Sequence, residues 1–492
     1  MRQQLPVIVF LIPLVTAICT PIVSLKNRRL CRTMALAAVG AMAVAAAANL
    51  SSVLRNGEIR YSFSGWAPPI GIEWVADDLA AVMAASLSVV GLICLIYGGR
   101  VTSQELERRS PAVYTLILLL LASLIGIVFA GDLFNIFVFL EVAALAGYAL
   151  VGVAGGKALV SAFRYLILGA LGASFYLLGV GYFYAVTGTL NMADLAQRVP
   201  EMMTSKAVIV GLSFMFIGLG IKMALVPLHG WLPDAYTLAP SAISPILASL
   251  LTKVALLAWI RIVFWVVGGS NGIGALHIFD LLWILGALAS VAGAFLALTQ
   301  QNLKRMFAYG GISHIGLILI GIGQGSQMGL AGGLFYLIND AVMQATLFAV
   351  AGVAIHQYGA ENLDDAAVLR HGAPWVLAGL IVSAMSMIGL PPTGGFFAKW
   401  YIILSAIEAG NFVAVVAIIG STLLTMAYFI RLFSRIFRER KGVTGGSPLH
   451  GSETPMTLRI SMGGLVAAII GLGIWSDTIV NVLLGATQSL GL

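Results

Sequence analysis

Charge is what this chain has least of: Asp, Glu, Lys and Arg make up 10% of its 492 residues, against 60% hydrophobic residues and a mean hydropathy of +0.99. No soluble globular domain has that balance. Cysteine is nearly absent too, and Cys19, Cys31 and Cys94 lie in or at the ends of apolar stretches without the close spacing of a metal site, redox motif or disulfide framework. There is no phosphate loop, and Gly321, Gly323 and Gly325 fall between two apolar stretches and not between a strand and a helix. Nucleotide, flavin, haem and iron–sulfur motifs are missing, so no cofactor and no metal are expected. A chain of this kind can move charge but has no energy source of its own, which leaves exchange down a gradient or drive by partner subunits.

What is present is apolar sequence in windows of membrane-crossing length. Windows of about 20 residues place fourteen spans near 5–25, 33–54, 78–98, 111–130, 132–153, 161–187, 207–228, 241–265, 275–298, 304–323, 328–355, 373–408, 411–435 and 460–485. The fold class is therefore an all-α polytopic membrane protein. The first stretch lacks a basic leader and runs on into further spans, so it reads as a retained helix. The longest polar stretches, near 55–77, 99–110, 188–206, 356–372 and 436–458, are only loop-sized, so 1–492 forms one membrane domain.

Basic residues sort by side. Alternate loops collect eighteen of the 27 Lys and Arg residues, including the groups at 26–32, 100–109, 157–164, 304–305 and 431–441. The opposite loops hold Arg2, Arg55, Arg60, Arg198 and Lys206. The positive-inside bias makes the first set cytoplasmic and turns both termini outward. The net charge of +7 thus reports topology, not nucleic-acid binding.

Lys222, Lys253, Lys399 and Arg261 remain, within spans. Ionisable groups at such depth are costly and mark ion or proton paths. Glu141 lies about halfway along its span. Burial favours the neutral form of a carboxylate or an amine and a nearby opposite charge favours the ionised form, so a Glu/Lys pair in low dielectric changes protonation when a neighbour's charge changes. A structural ion pair that never titrates would use the same residues. Lys253 is too deep in its helix to snorkel easily, whereas Arg261, two turns on, is expected to reach the interface as an anchor. His314 could pass protons between lysines or simply pack. His229 adjoins a helix break, and Asp340 is a further buried carboxylate with no assignable partner.

Two apolar segments about 160 residues apart are interrupted by proline and glycine: Lys222 to Pro233, through Pro227, His229 and Gly230, and Gly389 to Lys399, through Pro391, Pro392 and Gly394. Proline removes a helical hydrogen bond, so both helices should break. Broken helices in corresponding places point to repeated transporter halves with a site at each break, although prolines that only kink packed helices remain an alternative.

On these motifs the chain resembles the antiporter-like membrane subunits shared by Mrp-type cation/proton antiporters, respiratory complex I and energy-converting hydrogenases. The motifs are Gly131-Asp132-Leu-Phe-Asn135 leading to Glu141, Lys222 before Pro227-Leu-His229-Gly-Trp-Leu-Pro233, Ala239-Pro240 leading to Lys253, Asn302-Leu-Lys304-Arg305 leading to Ser313-His314, and Leu390-Pro391-Pro392 leading to Lys399. The resemblance implies about fourteen helices: 1–110 for helices 1–3, a five-helix repeat over 111–265, an inverted repeat over 273–440, and a last helix over 459–492. It implies a proton path in which Glu141 and Lys222 are a coupled pair, Lys253 connects, His314 relays and Lys399 terminates; His229 and Asp340, read from their own positions, are possible accessories to it. It also implies other membrane subunits as partners, protons as cargo with sodium as a further candidate, and a bacterial or archaeal cell membrane as location.

Lysine at 399 and the Gly-Asp-Leu-Phe-Asn stretch look most like the D-type member of Mrp antiporters, with the N-type member of complex I as the alternative; in that case the chain would serve a redox-driven enzyme without holding its redox site. Where many relatives carry histidine and lysine, this chain reads Asn339-Asp340-Ala-Val-Met-Gln344. Gln344 cannot carry a proton as an ammonium, so Asp340 or water would have to fill the gap, or the chain is mainly structural. A single-chain transporter of small solutes fits the breaks but not the lysine series.

Overall fold

The computed structural model describes residues 2–268, 277–438 and 456–488; Arg440 and Lys441, two of the basic loop residues, lie outside them. The chain begins with α1 (Leu5–Ser24) and α2 (Arg28–Asn56), a hairpin of β1 (Ile59–Ser62) and β2 (Glu73–Ala76), and α3 (Asp78–Glu105). Then come α4 (Ser110–Phe129), α5 (Leu133–Gly152), α6 (Lys157–Thr187), a short α7 (Met192–Arg198), α8 (Lys206–Lys222), α9 (Leu232–Leu238) and α10 (Ser244–Arg261). The second half holds α11 (Ile278–Thr299), α12 (Leu303–Ile322), α13 (Gln327–Tyr358), a short α14 (Val368–Gly372), α15 (Pro374–Ile388), α16 (Gly394–Glu408) and α17 (Phe412–Phe437). It closes with α18 (Met456–Ile474) and α19 (Ser476–Gln488).

Among the described residues, twelve helices are long and apolar enough to cross a membrane. Two more apolar segments are broken, α8 from α9 and α15 from α16, where the prolines interrupt the sequence. The stretch read as one span over 460–485 is two helices, α18 and α19, parted at Trp475. The hairpin is an addition to the all-α reading; it pairs Ile59 with Ala76 and Ser62 with Glu73 in antiparallel register.

Burial grades from rim to centre. The outward faces of α2, α6 and α17 carry bare apolar side chains such as Val44, Phe163 and Val416, as lipid-facing helices do. Every residue of α10 is buried, and α12 and α13 are buried along nearly their whole length. These central helices carry Lys253, His314 and Asp340. Their positions are fixed by close backbone approach: a Cβ at Gly293 or Gly316 would come within 2.5 Å of the backbone of the facing helix, and Ser313 Oγ donates across the contact to the Ser290 carbonyl at 2.7 Å. Small residues let membrane helices approach this closely, and here the contact that fixes α12 falls one residue before His314.

Candidate functional site

The site is built first by helix starts. Asp132 caps α5, accepting from the Phe134 and Asn135 amides at 2.8 and 2.9 Å, and Asn302 caps α12, accepting from the Arg305 amide at 3.1 Å. Side-chain oxygens at these positions satisfy amides that a helix start leaves open. The Gly-Asp-Leu-Phe-Asn and Asn-Leu-Lys-Arg motifs therefore set where α5 and α12 begin, and with that the depths of Glu141 and His314.

The breaks come next. After α8 ends at Lys222, the Trp231 indole donates to the freed Ile221 carbonyl at 2.8 Å and the Leu225 amide to Gly220 at 2.9 Å. After α15 ends, Gly389 adopts φ +88°, the Leu390 amide reaches the Met385 carbonyl at 2.8 Å, and the Gly395 amide donates to Ser386 Oγ at 3.2 Å. Non-helical backbone at membrane depth persists only with such partners.

Around these breaks the ionisable groups form three clusters. Lys222 Nζ stands 3.1 Å from Glu141 Oε1, and Lys222 lies 6.0 Å from the Tyr148 ring centre. Glu141 keeps 30% of its side chain exposed while Lys222 keeps 7%, so the pair opens on the carboxylate side. Tyr165 stacks on Trp231 at 4.1 Å and meets Tyr148 edge-on at 4.5 Å, walling the other side. A cavity of about 20 Å³ lined by Lys222, Tyr165, Leu251 and Ala255 lies between Lys222 and the face of α10 that Leu251 and Ala255 share. That is room for one water.

The second cluster joins both halves of the chain. Lys253 Nζ is 2.7 Å from Asp340 Oδ2 and 2.9 Å from the Ala248 carbonyl. His314 Nδ1 is 3.0 Å from Asp340 Oδ1, and Gln344 Nε2 is 3.5 Å from the same oxygen. All three ionisable side chains are buried. Asp340, left without a partner by the sequence, thus has two. Sequence spacing could not reveal this, because the three residues sit on three helices.

Lys399 forms the third. Its ammonium donates to the Met387 and Ile388 carbonyls at 2.8 and 3.1 Å and to Thr422 Oγ1 at 3.0 Å. The carbonyls end α15, where a helix is negative, and they stand in for the carboxylate that Lys399 lacks among the described residues. Lys222 is thus the last residue of α8, whereas Lys399 reaches back from α16 to place its ammonium on the last carbonyls of α15.

Two residues lie differently from expectation. Arg261, expected to snorkel, is 1% exposed: it pairs with Asp77 at 2.5 Å and donates to the Val128 and Ala130 carbonyls at 2.6 and 3.4 Å. Asp77 already caps α3 through its other oxygen, so the arginine meets its counter-ion inside the protein and does not need the interface. Lys304, grouped with the loop charges by its sequence position, is buried with its ammonium on the Ala239 carbonyl at 2.8 Å. His229, beside the first break, leaves Nδ1 buried without a partner, and its ring stands 6.3 Å from that of Tyr309. Asp234, on α9, pairs with Arg164 at 3.3 Å and Arg305 at 3.2 Å, tying the first break to α6 and α12.

Broken helices around a buried row of ionisable groups define a polytopic membrane protein of the ion-translocating class. Residues 130–425 match the family described as NADH:quinone oxidoreductase/Mrp antiporter, TM, and the chain belongs to that family. It is 37% identical to the N-type subunit of NADH-quinone oxidoreductase from Desulforudis audaxviator, over 98% of both chains. It is 33% identical to the D-type subunit of the Na(+)/H(+) antiporter from Alkalihalophilus pseudofirmus, over 78% of this chain and 77% of that one. Among solved structures, a chain of the Mrp complex from Dietzia sp. superposes with a TM-score of 0.88 at 27% identity, covering 100% of this chain and 97% of that chain. A chain of the archaeal membrane-bound sulfane sulfur reductase does so with a TM-score of 0.91 at 28% identity, covering 99% and 98%.

Proposed function

We propose that this chain is the proton-translocating, D-type member of a multisubunit cation/proton antiporter of the Mrp kind in a bacterial or archaeal cell membrane, working beside other membrane subunits. The observation that carries the reading is the row of buried ionisable groups: Glu141–Lys222 at 3.1 Å with a water-sized cavity between Lys222 and α10, then Lys253–Asp340–His314 at 2.7 and 3.0 Å, and Lys399 on the carbonyls of the second break. The Glu141 charge holds a proton on Lys222, and loosening that pair lets Lys222 pass it toward Lys253, then His314 and Lys399. His229 and Asp340 stand beside the path, and Pro227, Pro233, Pro391 and Pro392 keep the helices open around it.

We further propose fourteen spans with outward termini and two inverted repeats, α4–α10 and α11–α17. An offset of about 170 residues supports the repeats. Arg261 of α10 donates to Val128 and Ala130 at the end of α4, and Arg431 of α17 donates to Leu298 and Gln300 at the end of α11. Likewise Asp132, capping α5, bridges to Asn191, and Asn302, capping α12, bridges to Asn362. Lys304 and Arg305 flank the second arginine clamp, on the side read as basic, while the first clamp falls at the other ends of its helices, which supports an inverted relation.

The similarity to the N-type subunit favours a second reading, a proton-pumping member of a redox-driven complex. Vesicles containing the complete complex separate the two. Collapse of an imposed pH gradient on adding sodium or potassium, without an electron donor, supports the antiporter; proton uptake that requires an electron donor and quinone supports the pump.

A further inference from the structure

We propose that Asp340 is itself a proton carrier, joining His314 to Lys253 by taking a proton on the oxygen that faces one and turning to deliver it to the other; this rests on the proton-path reading above and makes Asp340 an obligatory member of the path.

The geometry separates the two contacts. Oδ2 faces the Lys253 ammonium at 2.7 Å and Oδ1 faces His314 Nδ1 at 3.0 Å. A structural counter-ion needs one such contact, whereas a relay needs an acid and a base on different oxygens within hydrogen-bond reach. His314 meets the second requirement of a relay as well: its far nitrogen, Nε2, is buried without a partner. Asp340 sits on α13, Lys253 on α10 and His314 on α12, so the carboxylate is the point where the two halves of the chain exchange charge. Gln344 Nε2, 3.5 Å from Oδ1 and one turn along α13, supplies polarity but no titrating group.

The steps balance. An ionised Asp340 can only accept, so Nδ1 of His314 carries hydrogen and Nε2 is bare. A proton arriving at Nε2 makes an imidazolium. The Nδ1–H bond then breaks and an O–H bond forms on Oδ1, leaving a neutral imidazole protonated at Nε2. Once Lys253 has passed its own proton on, a half-turn of the carboxyl brings the O–H to the neutral amine. The O–H bond breaks, the ammonium is restored and Asp340 is again a carboxylate. A flip of the imidazole then returns an N–H to Asp340 and a bare nitrogen to the far side, and the same steps taken backwards carry a proton from Lys253 to His314.

The test uses the whole complex in vesicles and reads cation-induced collapse of a pH gradient at equal assembly for Asp340→Asn, Asp340→Glu and the double variant Asp340→Asn/Gln344→Glu. Asparagine keeps size and polarity but cannot carry the proton, so exchange should fall about 100-fold or more, the scale of a lost proton-transferring group. Glutamate should recover at least about tenfold of that, because the carboxyl is restored. The double variant returns the negative charge one turn away, so it should assemble as wild type does and still not exchange. Exchange by Asp340→Asn at half the wild-type rate or more overturns the proposal, as does an Asp340→Glu variant that assembles and recovers no exchange over Asp340→Asn, since a carboxyl restored at the same place should carry the proton. If Asp340→Asn fails to assemble, the double variant decides on the same criteria. A wild-type complex that exchanges no cation refutes the antiporter reading and not the relay, and the same variants are then read by donor-driven proton uptake with the same outcomes.

Discussion

Gly389→Ala tests whether the second break exists to aim Lys399. Gly389 sits at φ +88°, and an alanine there costs roughly 1–2 kcal/mol because its Cβ crowds the carbonyl in the left-handed region. The new Cβ would also lie 3.1 Å from Lys399 Cδ and 3.8 Å from Cε, so the lysine stem must shift. That shift acts on an ammonium held by three contacts of 2.8, 3.1 and 3.0 Å. Losing one hydrogen bond to a charged group costs about 1.5–3 kcal/mol. Together the two effects come to about 2.5–5 kcal/mol, and with half of that penalty falling on the proton-loaded state, at about 1.4 kcal/mol per decade, exchange should drop by roughly 10- to 60-fold. The assay is cation-induced collapse of a pH gradient in vesicles, normalised to assembled complex. Exchange within about twofold of wild type would refute the view that the break positions the lysine, since even one lost charged hydrogen bond should exceed that.

Other perturbations have distinct signatures. Arg261→Ala leaves Asp77 without its buried counter-ion, so the midpoint of thermal unfolding of the complex should fall by an amount consistent with about 3–5 kcal/mol, and Asp77→Asn in the same chain should recover part of it. Thr422→Val removes one of the three contacts of Lys399 and should lower exchange less than Lys399→Gln does, with unchanged assembly in both; equal loss would give Thr422 a larger share than its single bond allows. Gly316→Leu drives a side chain into the α11 backbone and should lower the yield of assembled complex, as judged by size-exclusion of the extracted complex, because overpacking of a tight contact costs about 1–3 kcal/mol or more.

The sequence displays depth well and direction poorly. The breaks are legible because proline and glycine act locally, on the residues that carry them. Glu141 and Lys222 can be named as partners only through the resemblance, since they lie 81 residues apart. Asp340 and Arg261 show the limit. Both are visibly deep and charged, yet Asp340 finds Lys253 on another helix and Arg261 finds Asp77 184 residues upstream. Helical periodicity says how deep a residue sits, not which helix faces it. Lys304 looks like a loop charge because it falls in the first turn of α12, where only the packing of the α9–α10 connection over it determines that it is buried. The repeats leave a faint trace in the sequence: residues 128–132 and 261 recur in role at 298–302 and 431, an offset carried by different residue types at most positions, so self-comparison by identity would be weak.

The central claim is that a coupled carboxylate and lysine load the path. The most direct measurement is cation-induced collapse of a pH gradient in vesicles containing the complete complex, comparing wild type with Glu141→Ala and Lys222→Ala at equal assembly. The expected result is loss of exchange in both variants. Unchanged exchange in both would contradict the claim and leave the chain a scaffold for its partners.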